Sequence, residues 1–373
     1  MGKVILSCML ALVMTGCAAT TTAVEKKDKE FSTKLEPVVE VSKPPIIVPA
    51  ASGKRISHTG RVLPELTEPI KEVVLFNTRE ADAIMASLQM FPVDSPFNED
   101  ISGLPVMKNS DQIIAVAGAE KSLQYNLDMC YMIVPPTQPK IEVKISSISQ
   151  SDPGPYPVPE NTLIEGQSTP SEDYQRMGEV YNGPGGGDRH GLILDPYAMK
   201  VYEFFRLRKD DSGWVAENEA TFDLTTNKTR KNGWTSSDAA GLPVMPLSIR
   251  YDEVARGMVE HAVRFTIKYS QNSFVWPASH HASPSSNKNY PRMGERYRLK
   301  KDVDISDFEP HVQAILAGLK KYGMIVADNG GDWRMSICPD PRFKDLEDLK
   351  QIKGGDFEVI VPTTKSGGPR ANK

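Results

Sequence analysis

The chain has 373 residues, 39% hydrophobic and 25% charged, with a formal net charge of −4. That composition fits a globular protein of one large domain or two small ones. Neither half is strongly basic, which speaks against a nucleic-acid partner.

The N-terminus carries Lys3, then the apolar run "VILSCMLALVM", too short for a permanent membrane span, then "MTGC" ending at Cys17. This resembles the lipobox of bacterial lipoproteins, with Met14 standing where Leu is usual. The resemblance implies that residues 1–16 are a signal peptide and that Cys17 is diacylated. Ala18, not Asp, follows the cysteine, which in the familiar sorting pattern implies an outer-membrane anchor facing the periplasm or the cell surface. A plain secretory signal is the alternative. Residues 17–61 are rich in Thr, Lys, Glu and Pro without helical periodicity and are expected to be a flexible tether. The globular region is expected over 62–362, with 62–130 as an N-terminal helical or loop subdomain, and 363–373 as a disordered tail.

In chain order, "TREADAIMASLQMFP" predicts a short helix capped by Thr78, with Ala81, Ile84, Met85 and Leu88 on one side. "DQIIAVAG" is either helix or strand. "IEVKI" alternates as a half-buried strand does, and the proline-dense "SDPGPYPVPENTLIEG" is extended or looped. "GLILD" and "MKVYEFFRLRK" form a hairpin through "DPYA", and "GWVAENEATFDLTT" adds one or two strands. "VEHAVRFTIKYS" has the cleanest period of two, and "SFVWPAS" and "ERYRLKKDVDI" read as further strands. "EPHVQAILAGLKKYG" is a helix with Pro310 in its first turn, Val312, Ile315, Leu316 and Leu319 on one face, and Gly323 at its end. "MIVADNGGDWRMSI" reads as two strands around a glycine turn and "DLEDLKQIKG" as a last short helix. Many short strands with few helices predict a mainly β fold, a β-sandwich or jelly-roll-like core with peripheral helices.

Cys8 leaves with the signal and Cys17 takes lipid. Cys130 and Cys338 remain, either as one disulfide or as two buried thiols.

Strand parity organises the candidate site. Asp188 and His190 share a face ahead of "GLILD", a carboxylate–imidazole pair of the kind that orients a general base, with Arg189 on the other face. A surface ion pair is the plainer reading. His261 sits at the edge of an otherwise apolar strand face, as a poised base or a satisfied core histidine, and Arg264 lies on the other face. In "SFVWPASHHAS", Trp276 and His280 fall on one side and His281 on the other; Trp276 suits stacking on a sugar, or is simply core. "GPGGGDRHG" lacks the Lys-Ser/Thr of a phosphate loop. There is no HExxH, EF-hand loop or GxSxG, so no cofactor is expected, although a metal held by His190, His261 and His280 stays open.

From about Phe91 to Val359 the stretches "DRHGLILD", "GWTSSDAAGLPVMP", "RYDEVARGMVEHAVRFT", "VWPASHHAS" and "LKKYGMIVADNG" resemble an uncharacterised family of bacterial secreted proteins and lipoproteins. The resemblance marks Asp188, Arg189, His190, His261, Arg264, Trp276, His280, Asp328 and Asn329 as shared positions. His281 is variable in it, and Ser279 stands where relatives often carry Arg.

Together these features predict a lipid-anchored, carbohydrate-active protein, a glycoside hydrolase or a polysaccharide lyase. Asp188, His190, His261 and Arg264 are the expected catalytic residues. Arg189, Tyr202, Trp276, His280, Asp328 and Asn329 are expected to hold a glycan. A lyase would use His190, His261 or Tyr202 as base and Arg264 against a uronate, whereas a hydrolase would use Asp188 and Asp328. The rival expectation is a non-catalytic envelope protein that binds glycan or a protein partner. The enzyme reading requires His190, His261, Arg264 and His280 to converge in one cleft.

Overall fold

The alternating segments become three β-sheets in the computed structural model, which describes residues 54–167 and 187–362. The expected signal segment with Cys17, the expected tether up to residue 53, residues 168–186 with the glycines preceding Gly187, and the expected tail 363–373 lie outside the described residues. The described residues fall within one compact unit, Pro37–Lys373. A backbone bridge between Ile56 and Val62 already lies ahead of the expected start of the globular region.

One sheet runs β1 (Val74–Leu75), β3 (Met132–Ile133), β5 (Gly191–Asp195), β6 (Lys200–Phe205) and β9 (Asn218–Asp223). The predicted hairpin is its centre: Asp195 pairs with Lys200, and Asp195 Oδ1 accepts from the Tyr197 and Ala198 amides of the turn. Alternation splits its side chains. Leu192, Leu194 and Val201 enter the main core, while Ile193, Tyr202 and Phe204 enter a second, smaller core with Tyr156 and Trp214. A small sheet of β4 (Lys144–Ile145), β8 (Gly213–Ala216) and β7 (Arg208–Asp210) closes that second core.

The larger sheet runs β14 (Phe357–Ile360), β11 (Arg296–Leu299), β12 (Met324–Asn329), β10 (Val263–Ile267), β13 (Arg334–Ile337) and β2 (Gln124–Leu127). The two strands of "MIVADNGGDWRMSI" do not pair with each other. They flank β10, one parallel and one antiparallel to it. The glycine turn therefore spans a strand's width. Phe265 of β10 packs with Tyr297 and Trp333, Trp333 stacks in turn on Phe357, and the Trp333 indole donates 3.0 Å bonds to the Ala117 and Gly118 carbonyls. Arg264, one residue earlier, faces the other way.

Helices decorate these sheets. In α1 (Arg79–Ser87) the Thr78 hydroxyl caps the Ala81 amide at 3.1 Å, as the spacing predicts. "DQIIAVAG" resolves as α2 (Ser110–Ala117), stopped by Gly118 at φ 95°. The short α3 is Tyr251–Ala255, and α4 (Pro310–Lys321) buries the four residues its periodicity selects. Each such side chain contributes about 1.5–3 kcal/mol relative to exposure. Gly323 turns the chain back at φ 69°, where a Cβ would lie 2.2 Å from the Tyr297 carbonyl oxygen. The architecture is thus mainly β, in mixed sheets, with few helices.

Three local expectations fail. The strand containing Arg264 begins at Val263, so His261 precedes it and its strand parity does not apply. "SFVWPAS" is a turn at Trp276 and Pro277 with a single bridge at Phe274. Asp188 to His190 also precede their strand, with Arg189 at φ 46°. In each case the alternation is real and single backbone hydrogen bonds are made, but they do not extend into a regular ladder.

Candidate functional site

Arg264 is the centre of a buried polar cluster. Its Nε donates to Asp238 Oδ2 at 2.7 Å, its Nη2 to Asp238 Oδ1 and its Nη1 to the Ser336 hydroxyl. Asp238 is fully buried and Arg264 is 3% exposed. A charge so deep persists only when paired and bidentate. Burial lowers the Arg264 pKa, but the charge and hydrogen bonds of Asp238 outweigh it and raise it further.

Asp328, near the end of β12 and beside Thr266 of β10, accepts from the Ala239 amide at 3.2 Å and from the Asn329 amide at 2.6 Å. Burial, with the Asp238 charge, pushes its carboxyl up to about 7. Asp128, one residue past β2, is pushed up to about 6 by burial and by the Glu165 charge, against the pull of Arg264 and His190. Among the described residues its Oδ1 has no hydrogen-bond partner.

His190 belongs to the same cluster. Its Nδ1 lies 3.0 Å from Glu165 Oε2, and its Nε2 lies 2.9 Å from the Ser237 carbonyl oxygen. Both partners can only accept, so both nitrogens carry protons. Burial disfavours that charge, but the Glu165 hydrogen bond and charge outweigh it and raise the pKa to about 9. Reciprocally, burial raises the Glu165 carboxyl, but His190 holds it below its ordinary value. The Ser237 hydroxyl continues the network to Glu203, which also accepts from the Val244 and Met245 amides. Burial raises Glu203 to about 7.

The hub is therefore the irregular segment Trp234–Ala240. Ser237 touches His190 and Glu203, Asp238 holds Arg264, and Ala239 binds Asp328 through its amide and His280 Nδ1 through its carbonyl, at 2.9 Å. Gly241 closes it at φ 72°, where a Cβ would meet the Ser279 hydroxyl at 2.0 Å. A side chain at 241 has no room in that arrangement.

Of the expected residues, His190, Arg264, Asp328 and Asn329 gather here, with His280 at the edge. Asp188 does not: it is exposed, and Glu165 takes the carboxylate role expected of it. His261 does not either. It is buried against Glu253 (Nε2 to Oε2, 3.1 Å) and its own neighbour's carbonyl, Ala262 O at 2.8 Å, in a separate ion cluster with Arg250, Asp252 and Arg256. The convergence of all four that the enzyme reading required therefore fails, the catalytic set built on His190 and His261 is withdrawn, and any chemistry at the cluster rests on different residues around Arg264. Arg189 is buried beside the cluster, Trp276 is half-buried in its turn, and His281 stacks on His280 at 5.3 Å. Tyr202 alternates with Glu203 along β6 and so lies on the opposite sheet face.

Asp128, Glu165, Glu203 and Asp238 are the members that periodicity misses. Each sits in a loop or is brought in by a non-local pairing. The quoted "GWTSSDAAG" was the available signal for Asp238. Among the described residues no group of three or more His, Cys, Asp or Glu side chains could hold a metal ion. The ring nitrogens of His190 and His261 are committed elsewhere, so the open metal set of His190, His261 and His280 does not assemble. Cys130 and Cys338 are both buried free thiols, so the disulfide alternative gives way to the thiol one. Among the described residues no helix is long and apolar enough to cross a membrane.

Comparisons with known protein families, with curated proteins and with solved structures find no match.

Proposed function

We propose that the chain is an exported, lipid-anchored carbohydrate-active protein that hydrolyses glycosidic bonds in an envelope or extracellular polysaccharide, on a β-rich frame arranged as a sandwich. The observation that carries this reading is the pair of carboxyls Asp128 and Asp328, both raised toward neutrality around one buried guanidinium. Glycoside hydrolysis needs one carboxyl that still holds a proton near neutral pH and a second that is ionised. Asp328, which accepts from the Ala239 and Asn329 amides and has no arginine or lysine bonded to it among the described residues, is assigned as the proton donor. Asp128, whose Oδ1 accepts no hydrogen bond among the described residues, is assigned as the carboxylate that activates water or attacks carbon. Glu165 and His190 fix the charge around Asp128 and are positioning residues.

Elimination is the weaker mechanism. A lyase needs a free cation against the uronate and a neutral base. Arg264 spends its guanidinium nitrogens on Asp238 and Ser336, and His190 already carries both protons. A second reading, a non-catalytic glycan-binding envelope protein, is favoured by one observation: His261 lies outside the cluster.

The test is a panel of neutral and acidic polysaccharides assayed for new reducing ends and for unsaturated products. Reducing ends without unsaturated product are expected, and Asp328→Asn should lower the rate by about 10²–10⁴-fold. No product from any glycan, or equal rates in the variant, favours the binding protein instead. Loss of palmitate incorporation in Cys17→Ala tests the anchor.

A further inference from the structure

The other face of the β5–β6–β9 sheet carries a recess, separate from the acid cluster. It is an open groove of about 640 Å³, floored in part by Tyr202 and walled by the loop that carries Trp234. That volume is typical of small-molecule sites. Lys140, Lys200, Lys228 and Lys231 line it, and none of the four forms a salt bridge among the described residues. Arg230, also in the lining, is neutralised by Asp152 at 2.5 Å. The remaining carboxylate, Asp223, lies opposite Lys200 in the ladder, and its Oδ1 is taken by the Thr225 amide and hydroxyl. The lining thus carries four lysines against Asp223, its one carboxylate outside the Arg230 pair, in a chain whose formal net charge is −4.

The chemistry of the lining narrows the ligand. The cations come from three separate elements, the loop at 140, strand β6 and the loop at 228–231, so the charge is distributed along the groove and not focused on one anion. Trp234 is half-buried, with Lys231 Nζ 5.6 Å from its ring. Tyr202 is buried, and its hydroxyl makes no hydrogen bond among the described residues although its ring packs edge-on against Tyr156. Aromatic surface with a hydroxyl at its edge suits a sugar, and spaced ammonium groups suit charge repeated along a chain. An apolar ligand would strip water from the ammonium groups without replacing it.

We infer that this groove binds an anionic saccharide, a carboxylate-bearing sugar chain. Lys200, Lys228 and Lys231 face its carboxylates, Trp234 offers a stacking surface, and the Tyr202 hydroxyl bonds a sugar oxygen. Binding here needs no turnover at Asp328, so this assignment and the hydrolysis reading fail separately.

Calorimetric titration of the full chain in detergent provides the test, with oligogalacturonate, the same oligomer with its carboxyl groups reduced to alcohols, and dextran sulfate as probes. The carboxylated oligomer should bind, and binding should weaken with salt. K228E/K231E, both at exposed positions, should weaken it at least ~10-fold, and Tyr202→Phe about 3-fold or more. The reduced oligomer should bind no better than the charge-reversed variant binds the acidic one. Equal binding of the reduced oligomer, no binding of the acidic one, or an unaffected K228E/K231E overturns the inference. So does dextran sulfate that competes equally while Tyr202→Phe has no effect, because that marks a non-specific anion surface.

Discussion

Asp238 and Arg264 meet side by side, two hydrogen bonds between a fully buried carboxylate and a guanidinium that is 3% exposed. Asp238→Ala should leave the guanidinium charge uncompensated and cost about 3–5 kcal/mol of stability. Urea denaturation checks this: a midpoint equal to wild type would mean that the guanidinium has found water or another partner.

The His190–Glu165 pair makes stability depend on pH in two directions. The His190 pKa rises from 6.5 unfolded to about 9 folded, so its contribution is full below 6.5 and is lost as pH rises through about 9. The Glu165 pKa is lowered from 4.5, so its contribution is present above 4.5 and is lost as pH falls below that. The pair is strongest between about 4.5 and 6.5. Ring-proton titration by NMR should find His190 charged at pH 8 in wild type and neutral there in Glu165→Gln. A neutral His190 in the wild type at pH 8 would break the assignment.

His261→Ala should weaken the fold and not the chemistry. The ring ties Glu253 to the start of the central strand, and its loss leaves that buried carboxylate with Arg250 alone, at a cost of roughly 1–3 kcal/mol. Rates on a responsive glycan, measured well below the lowered melting temperature, should match wild type. A loss beyond ~10-fold would return His261 to the active residues.

The two thiols should be inert in the folded state. Burial pushes Cys130 up to about 12 and holds Cys338 well above the ordinary thiol value. Dithionitrobenzoate should label neither in native protein and both in guanidinium. Labelling that appears only after reduction would reveal a disulfide.

Legibility in the sequence follows the range of the forces involved. The Thr78 cap, the α4 face and the "DPYA" hairpin depend on residues a few positions apart, and all are readable. Arg264 and His190 stood out because charged side chains interrupt apolar runs. Their partners did not, because Asp238 lies 26 residues from Arg264 and Glu165 lies 25 from His190, and no local pattern records either distance. Alternation also carried the reading too far. "VEHAVRF" and "SFVWPAS" alternate, but a period of two becomes a strand only where a neighbour supplies the hydrogen bonds.

The segment from Ser237 to Ala239 uses three consecutive residues for three different partners. Such a stretch tolerates substitution far better than insertion or deletion. Removing one residue ahead of Ser237 would shift the whole set by a position, offering a carboxylate to Glu203 and a methyl group to Arg264. One slip would thus bring two acids together and orphan a cation. Length variation in this part of the chain should therefore collect in the exposed loop at 231–233, where an added residue disturbs none of the three contacts.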